Sequence, residues 1–295
     1  MGEKESMSKF ITSILDEIQW LLPRKAAHSI AYFRATKKFM PWNNPKTYDQ
    51  KVRWLLVNCY GEKESVYADK SLVRDYVSKC GLNDILIPCV GVWNSSKEID
   101  CSVLPKSFIM KTTHGTGPDC YVIVTDRDNQ NELNAAFLKM DKALQINVAK
   151  NSCQYQYKFI KPRIIIEELL NDGGKRMTDY KVLCTNGVPR FILVCSERDK
   201  GRDYFDCDWH NMHFTKPEYQ SKKEIARPKG LEKMLDAAAR LSKPFAVARI
   251  DFYDVNGKIY FGEITLTPSA CHTDNLTEKA QLEIGNLIEL PHKGQ

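Results

Sequence analysis

A chain of 295 residues, 43% of them hydrophobic, is long enough for two or three compact lobes and folds without staples. Its 10 cysteines are scattered, with no C-x-x-C pair and no Cys/His cluster at zinc spacing, which excludes a disulfide scaffold and a zinc-built domain and leaves reduced thiols as the default. The net charge of +6 is spread along the sequence rather than massed in a basic tract, which fits small anionic substrates at least as well as nucleic acid, and no nucleic-acid partner is expected.

Phe10, Ile11, Ile14, Leu15, Ile18, Leu21 and Leu22 recur at helical spacing before Pro23 and predict an opening amphipathic helix. Asp16 and Glu17 make that helix a poor partner for anionic lipid, and packing is its expected role. No signal peptide opens the chain, and no apolar run nears the ~20 residues a membrane span requires, so a cytoplasmic protein without a transmembrane segment is expected. After the turn-rich Pro41-Trp42-Asn43-Asn44-Pro45, a second helical pattern through Val52, Leu55 and Leu56 completes a helical N-terminal region, residues 1–65.

The stretch from Asp69 to Gly81 reads as a helix with an acidic start, apolar Leu72, Val73, Tyr76 and Val77, and a glycine stop. A short strand over 85–92 follows. Ser107-Phe108-Ile109-Met110-Lys111 is then a strand that delivers Lys111 to the loop Thr112-Thr113-His114-Gly115-Thr116-Gly117, and Tyr121-Val122-Ile123-Val124 returns. The pattern is neither a P-loop nor a dinucleotide fingerprint, both of which open a helix. A glycine loop between antiparallel strands can still fold over phosphates, with backbone N–H groups as donors and Lys111 as a point charge.

Ile164-Ile165-Ile166-Glu167-Glu168-Leu169-Leu170 reads as a buried strand ending at a hinge, Asn171-Asp172-Gly173-Gly174. A strand pair runs from Asp179 to Cys184 and back from Arg190 to Val194 across Asn186-Gly187. A helix marked by Leu231, Met234, Leu235, Ala238 and Leu241 precedes a final hairpin from Arg249 to Thr265. This order predicts an α+β fold with antiparallel sheets.

The hairpin carries an acid on each strand. A plain two-residue turn at Asn256-Gly257 would put Asp251 and Glu263 on opposite faces, whereas a three-residue turn with a Gly257 bulge changes the parity. The second register is expected, because it gathers Arg249, Asp251, Glu263 and Thr265 on one face and Ile250, Phe252, Tyr260, Ile264 and Leu266 on the other. Two carboxylates on neighbouring strands suit Mg2+, which takes one or two protein carboxylates and leaves other positions to phosphate and water.

In order and spacing, Asp69-Lys70, Lys111 with the His114–Gly117 loop, Glu167-Glu168-Leu169-Leu170, Asp179-Tyr180-Lys181, Arg249-x-Asp251 and Glu263-x-Thr265 resemble the ATP-grasp ligases. More closely, Asn44-Pro45-Lys46-Thr47, Ala68-Asp69-Lys70, Leu104-Pro105, Lys161-Pro162-Arg163 and Phe261-Gly262-Glu263-Ile264-Thr265-Leu266-Thr267-Pro268 resemble the TupA-type ATP-grasp family, associated with teichuronopeptide, capsule and other surface-polysaccharide synthesis. The resemblance implies two lobes gripping ATP: a small lobe over 66–170 with the phosphate loop and a large lobe over 171–295 with the metal hairpin. It implies that Lys70 and Lys111 contact ATP phosphates under a lid of His114, Gly115, Thr116 and Gly117. Glu167, Glu168 and Leu170 would meet adenine, Asp179 the ribose, and Lys181 a phosphate. Asp251, Glu263 and Thr265 would hold Mg2+, with Thr265 standing where many ATP-grasp enzymes carry Asn.

Arg249, Lys181 and Lys111 are the expected catalytic cations of a carboxylate–amine ligase. A substrate carboxylate would attack the γ-phosphate and an amine would capture the acyl-phosphate, so charge neutralisation and alignment are needed and no general base for the first step. Analogy points to a uronic acid or other sugar carboxylate and a small amine or amino acid, with peripheral association to polysaccharide assembly machinery. The alternative is a glycosyltransferase using a D-x-D, either Asp206-Cys207-Asp208 or Asp126-Arg127-Asp128.

Overall fold

The structure, a computed structural model, describes residues 19–170, 178–195 and 201–291. Of the opening helix expected from Phe10 to Leu22, residues 10–18 lie outside the described residues and 19–21 are helical, and the hinge at Asn171-Asp172-Gly173-Gly174 also lies outside them. Helices α1 (Arg24–Thr36), α2 (Tyr48–Asn58), α3 (Glu62–Ala68) and α4 (Val73–Lys79) come first. Thr47 starts α2 with a capping box: its hydroxyl accepts the Gln50 N–H and the Gln50 side chain accepts the Thr47 N–H, which satisfies two donors a helix start leaves open. Val52, Leu55 and Leu56 are buried, as their spacing requires. α4 is shorter than expected because Asp69 accepts from the backbone N–H groups of Ser71 and Leu72 and holds residues 69–72 as a turn before the helix, whose N-cap is Leu72.

Strands β1 (Cys89–Trp93), β2 (Phe108–Thr112), β3 (Tyr121–Val124) and β4 (Ile164–Glu168) form an antiparallel sheet in the order β1-β4-β2-β3. Between β3 and β4 lie α5 (Gln130–Ala143) and α6 (Val148–Ser152). Asn129 caps α5 through the Glu132 N–H, and Leu133, Ala136 and Met140 bury its inner face against Phe108, Met110, Ile164 and Ile166. Side chains alternate along a strand, so Lys111 on β2 and Glu167 on β4 come out on the opposite face, away from that core.

The second sheet contains β5 (Asp179–Thr185), β6 (Val188–Cys195), β7 (Arg202–Phe205), β8 (Val247–Val255) and β9 (Lys258–Thr265) in the antiparallel order β7-β6-β5-β8-β9. Helix α7 (Leu231–Ser242) packs Leu231, Met234, Ala238 and Leu241 in one core with Val182, Ile192, Ile250 and Phe252. Each buried Leu or Met there contributes about 1.5–3 kcal/mol. Val52, Leu55 and Leu56 of α2 and Val73 and Val77 of α4 belong to the same core, so the N-terminal helices are built onto the large sheet. The last helix, α8 (Glu278–Asn286), packs on α2.

The hairpin gathers its polar residues by a different route from the one expected. Asn256 (φ 55°) and Gly257 (φ 92°) make a plain two-residue turn with Val255 opposite Lys258. The parity changes farther along, where β9 bulges at Gly262: Asp251 pairs with Glu263 but Phe252 pairs with Phe261. A Cβ on Gly262 would stand 3.0 Å from the Asp251 carbonyl oxygen, which is why glycine sits there. The bulge also corrects Tyr260. It pairs with Tyr253 and lies on the charged side, while Ile259 and Phe261, both 4% exposed, take the apolar side.

Candidate active site

The face of the large sheet opposite α7 carries one transverse row of charge: Lys181 on β5 pairs in register with Asp251 on β8, which pairs with Glu263 on β9. One step along, Arg249 is opposite Thr265. The Arg249 guanidinium donates from Nε to Asp251 Oδ1 at 2.7 Å and from Nη2 to Asp251 Oδ2 at 2.8 Å. The same Nη2 lies 3.1 Å from Glu263 Oε1 and 3.1 Å from Thr265 Oγ1. Lys181 Nζ donates to Asp251 Oδ2 at 2.6 Å and also pairs with Asp179.

Burial alone would push the Asp251 carboxyl up, but Arg249 and Lys181 outweigh it and hold the group below the usual carboxylate range. Asp179 goes the other way: burial and then the Asp251 charge raise it, against the pull of Lys181. Burial would lower Lys181, yet Asp251 raises it above the ordinary lysine value, so it stays a cation at neutral pH. The row holds three carboxylates and two cations before Lys70 arrives from the other side, with its Nζ 3.8 Å from Glu263 Oε2 and 2.7 Å from the Gly115 carbonyl.

Lys70 is set by its neighbour. Asp69 is 1% exposed and accepts from Arg163 Nη2 at 3.1 Å, and the Lys70 and Thr113 N–H groups bond the Thr113 and Arg163 carbonyls in turn. The separated segments Ala68-Asp69-Lys70 and Lys161-Pro162-Arg163 thus meet at the root of the glycine loop. His114 in that loop is buried; its Nε2 lies 3.1 Å from the Ile146 carbonyl, and burial lowers its pKa, so it is a neutral anchor for the loop. Gly115 is needed where it stands, since a Cβ there would come within 2.4 Å of the Cys120 Cβ. Thr116 and Gly117 are exposed at the loop tip.

On the small sheet, Lys111 Nζ donates to Glu167 Oε2 at 2.8 Å, and Arg74 of α4 donates to Glu167 Oε1 at 2.9 Å. Glu167 is therefore a buried bridge between two cations, and Glu168 beside it is exposed. Leu170 lies half-buried beyond the end of β4. Sequence reasoning missed Arg74, which sits on a helix of ordinary appearance 93 residues from its partner.

A cavity of about 500 Å³ opens beside Arg249, bounded by the 116–120 loop, the 146–157 segment and the 263–270 segment. Gln154, Tyr157, Thr265, Thr267 and Ser269 line it with neutral hydroxyl and amide groups. Gln156 Nε2 donates to Thr267 Oγ1 at 2.8 Å, and Thr267 also bonds Gln154. Burial, then the Glu263 charge, raise the Tyr157 phenol, so it remains a neutral donor. Ser269 (φ 52°), Ala270 (φ 50°) and Cys271 (φ 63°) form a left-handed turn at the cavity wall, costly for residues with a Cβ. Arg53 holds it by donating to the Cys271 carbonyl at 3.0 Å, and Asp49 accepts from the Thr273 N–H at 2.9 Å. Thr265 and Thr267 lie in the Phe261–Pro268 stretch that the sequence singles out, whereas Gln154, Tyr157 and Ser269 belong to no local motif.

Both D-x-D triplets are engaged in turns. Asp126 Oδ1 accepts the Asp128 N–H at 3.2 Å, and Asp206 Oδ1 accepts the N–H groups of Asp208 and His210 at 3.0 and 2.7 Å. Asp206, Asp208 and His210 lie close enough to share a cation, but Asp208 and His210 are exposed and the turn by itself accounts for their types.

Oxygen donors suited to Mg2+ are present at Asp251, Glu263 and Thr265. Glu263 is the freer carboxylate, with its side chain 36% exposed against 5% for Asp251, whose two oxygens are both engaged by cations. The donor set fits a magnesium ion bound chiefly through Glu263, with Asp251 also available where Lys181 turns to another anion.

Two antiparallel sheets, each presenting a charged face with lysines opposite carboxylates and a glycine loop between them, define an ATP-grasp fold. The sequence pattern of the TupA-like ATPgrasp family matches residues 50–289, and the chain belongs to that family. No curated protein matches the chain. Among solved structures, it is similar to the D-alanine–D-alanine ligase of Helicobacter pylori, at 13% identity and a TM-score of 0.47 over 76% of this chain and 62% of that one. It is also similar to N5-carboxyaminoimidazole synthetase of Staphylococcus aureus complexed with ADP, at 14% identity and a TM-score of 0.47 over 82% of this chain and 54% of that one. The chain thus spans less than two thirds of the length of either structure.

Proposed function

We propose that the protein is an ATP- and Mg2+-dependent carboxylate–amine ligase that activates a sugar carboxylate, such as a uronic acid, and joins it to an amine during surface-polysaccharide synthesis. The observation that carries this reading is Arg249: its guanidinium lies on the Asp251–Glu263 row and lines the large cavity at the same time. One group can therefore meet both the transferring phosphoryl and the substrate carboxylate.

In this reading the small lobe, 66–170, supplies Lys70, Lys111 and the loop His114–Gly117 to the phosphates, with Glu167, Glu168 and Leu170 near adenine. The large lobe, 171–295, supplies Asp179 to the ribose and Lys181 to a phosphate. Magnesium held by Glu263, Asp251 and Thr265 would neutralise phosphate charge. The substrate carboxylate is already an anion at neutral pH, so its attack on the γ-phosphate needs alignment and charge neutralisation, which Lys111, Lys181 and Arg249 provide. The amine then displaces phosphate from the acyl group, in a site where the loop excludes water. A wall of hydroxyl and amide groups at Gln154, Tyr157, Thr267 and Ser269, with Arg249 as its cation, suits a substrate bearing one carboxylate and several hydroxyls.

The test is ADP release over a panel of uronic acids and amines, with hydroxylamine as trapping nucleophile. A hydroxamate should form only with ATP, Mg2+ and the carboxylate, and [18O]carboxylate should pass label to phosphate. Phosphate transfer to a sugar hydroxyl, with no hydroxamate and no label in phosphate, would sink the ligase reading.

A further inference from the structure

Helix α1 turns one face inward and leaves the other in water. The inner face is fixed: His28 Nε2 lies 3.1 Å from the Cys153 carbonyl, His28 Nδ1 lies 3.0 Å from Arg53 Nη1, and the Tyr32 hydroxyl accepts from Gln50 at 2.7 Å. The outer face carries Ile30, Phe33, Arg34 and Lys37, at positions i, i+3, i+4 and i+7, which fall on one side of a helix. Lys37 ends the helix at φ 59° and turns the chain, so that Phe39 comes back to Phe33 with ring centroids 5.5 Å apart. Ile30 is 44% exposed, Phe33 43% and Phe39 88%. A single exposed apolar residue needs no explanation, but two touching rings beside an isoleucine make a patch.

The chain segment that carries the patch has charge of one sign. From Gln19 to Tyr48 the chain has six Lys and Arg residues and no Asp or Glu. Arg24 is used internally, donating to the Tyr60 carbonyl at 2.8 Å. Arg34, Lys37 and Lys38 are exposed next to the rings. Glu278 approaches Lys38 at 3.8 Å, and both side chains are so exposed that water and salt screen the pair.

We infer that the outer face of α1 and the Lys37–Phe39 turn form a docking surface for an anionic lipid bilayer. Phe33, Phe39 and Ile30 enter the boundary between headgroups and acyl chains, while Arg34, Lys37 and Lys38 meet lipid phosphates. Cations near such a surface are drawn to it within a Debye length. The patch is a convex helix face and turn, and the cavity beside Arg249 does not include it. A fluid anionic surface satisfies both its shape and the excess of Arg34, Lys37 and Lys38 over Glu278, whereas a folded partner would need a matching acidic groove. Attachment is peripheral, since among the described residues no helix is long and apolar enough to cross a membrane. Docking here requires neither nucleotide nor substrate, so it stands or falls apart from the ligase activity.

The experiment is vesicle co-sedimentation of the full chain. It uses vesicles of roughly seven parts phosphatidylcholine to three parts phosphatidylglycerol, with pure phosphatidylcholine as control, because only the anionic surface attracts the cations. The protein should sediment with the anionic vesicles and not with the neutral ones. Phe33→Ser with Phe39→Ser, and separately Lys37→Glu with Lys38→Glu, should each lower the partition coefficient about tenfold or more, as should ~0.5 M salt for the parent chain. All four side chains are exposed, so thermal midpoints should match the parent and certify folding. Equal binding to neutral vesicles, no binding to either, or undiminished binding by both double variants would overturn the proposal. Sedimentation velocity showing a dimer that dissolves in the double serine variant would also overturn it and give the patch to a second copy of the chain.

Discussion

Arg249 and Asp251, two residues apart on β8, form a two-pronged ion pair, Nε to Oδ1 at 2.7 Å and Nη2 to Oδ2 at 2.8 Å. Alternate residues of a strand share a face, so the strand itself sets this pairing. The second prong is shared: Nη2 reaches across to Glu263 and Thr265 on β9, each at 3.1 Å. The Asp251 carboxylate thus fixes the plane of a guanidinium that also lines the cavity.

Arg249→Lys should therefore remove activity while leaving most of the fold. A lysine offers a point charge on a flexible stem and cannot bridge Asp251 and Glu263 as a planar fork does. Hydroxamate formation should fall by about 100-fold or more, in line with the loss of a group that stabilises transition-state charge. ATP-dependent thermal stabilisation should persist, because Lys70, Lys111 and Lys181 remain. Near-parental hydroxamate yield from the lysine variant would remove Arg249 from the reacting centre.

The two acids of the row should respond differently to amidation. Glu263→Gln leaves Arg249 paired with Asp251 and should give a folded protein in which Mg2+ no longer enhances ATP binding. Asp251→Asn leaves both Arg249 and Lys181 facing a neutral amide at a 5% exposed position. Breaking one partner of a buried ionic set costs about 3–5 kcal/mol, so this variant should unfold at markedly lower denaturant as well as lose turnover. Urea titrations of the two variants, side by side, decide it; equal midpoints would show that Asp251 does not hold the cations together.

Gly262→Ala tests the bulge. The added Cβ would sit 3.0 Å from the Asp251 carbonyl oxygen and 3.4 Å from its carbonyl carbon, so the strands must part locally. The expected cost is about 1–3 kcal/mol of stability, the usual range for overpacking. Activity should fall further than stability, because the displaced backbone carries both Asp251 and Glu263. An alanine variant with parental turnover would mean that the row tolerates a register disturbance.

The polar and apolar composition of the hairpin was enough to foresee which four residues share the charged face, since only one parity separates Arg249, Asp251, Glu263 and Thr265 from Ile250, Phe252 and Ile264. It was not enough to place the parity change. Gly257 and Gly262 can each host a bulge, and the choice rests on the approach of the Asp251 backbone, a contact between strands that no alternation pattern records. Tyr260 was misplaced for that reason. Arg74 and the wall residues Gln154 and Tyr157 were hidden differently: each acts on partners far along the chain, through a residue type that is ordinary in its own segment. Helix α5 also passed unnoticed, although Asn129 with Glu132 and the spacing of Leu133, Ala136 and Met140 carry the signals of a capped amphipathic helix.

His28 should make stability fall with acid before the carboxylates do. It is 1% exposed, and burial together with the Arg53 charge lowers its pKa from 6.5 to about 4. The neutral ring fits its surroundings, with Nε2–H donating to the Cys153 carbonyl and Nδ1 accepting from Arg53. As pH drops below 6.5 the unfolded chain takes up a proton that the folded ring refuses, so unfolding is favoured progressively until about pH 4, where the folded ring protonates too. The full effect is on the order of 3 kcal/mol, since each tenfold loss of proton affinity on folding corresponds to about 1.4 kcal/mol. Urea midpoints of the parent and of His28→Gln at pH 7, 6 and 5 isolate it, because glutamine can keep one donor and one acceptor but does not titrate. The parent should lose stability over that interval and the variant should lose much less. Parallel pH slopes for the two proteins would show that folding leaves the proton affinity of the ring unchanged, and that neither burial nor Arg53 holds it neutral.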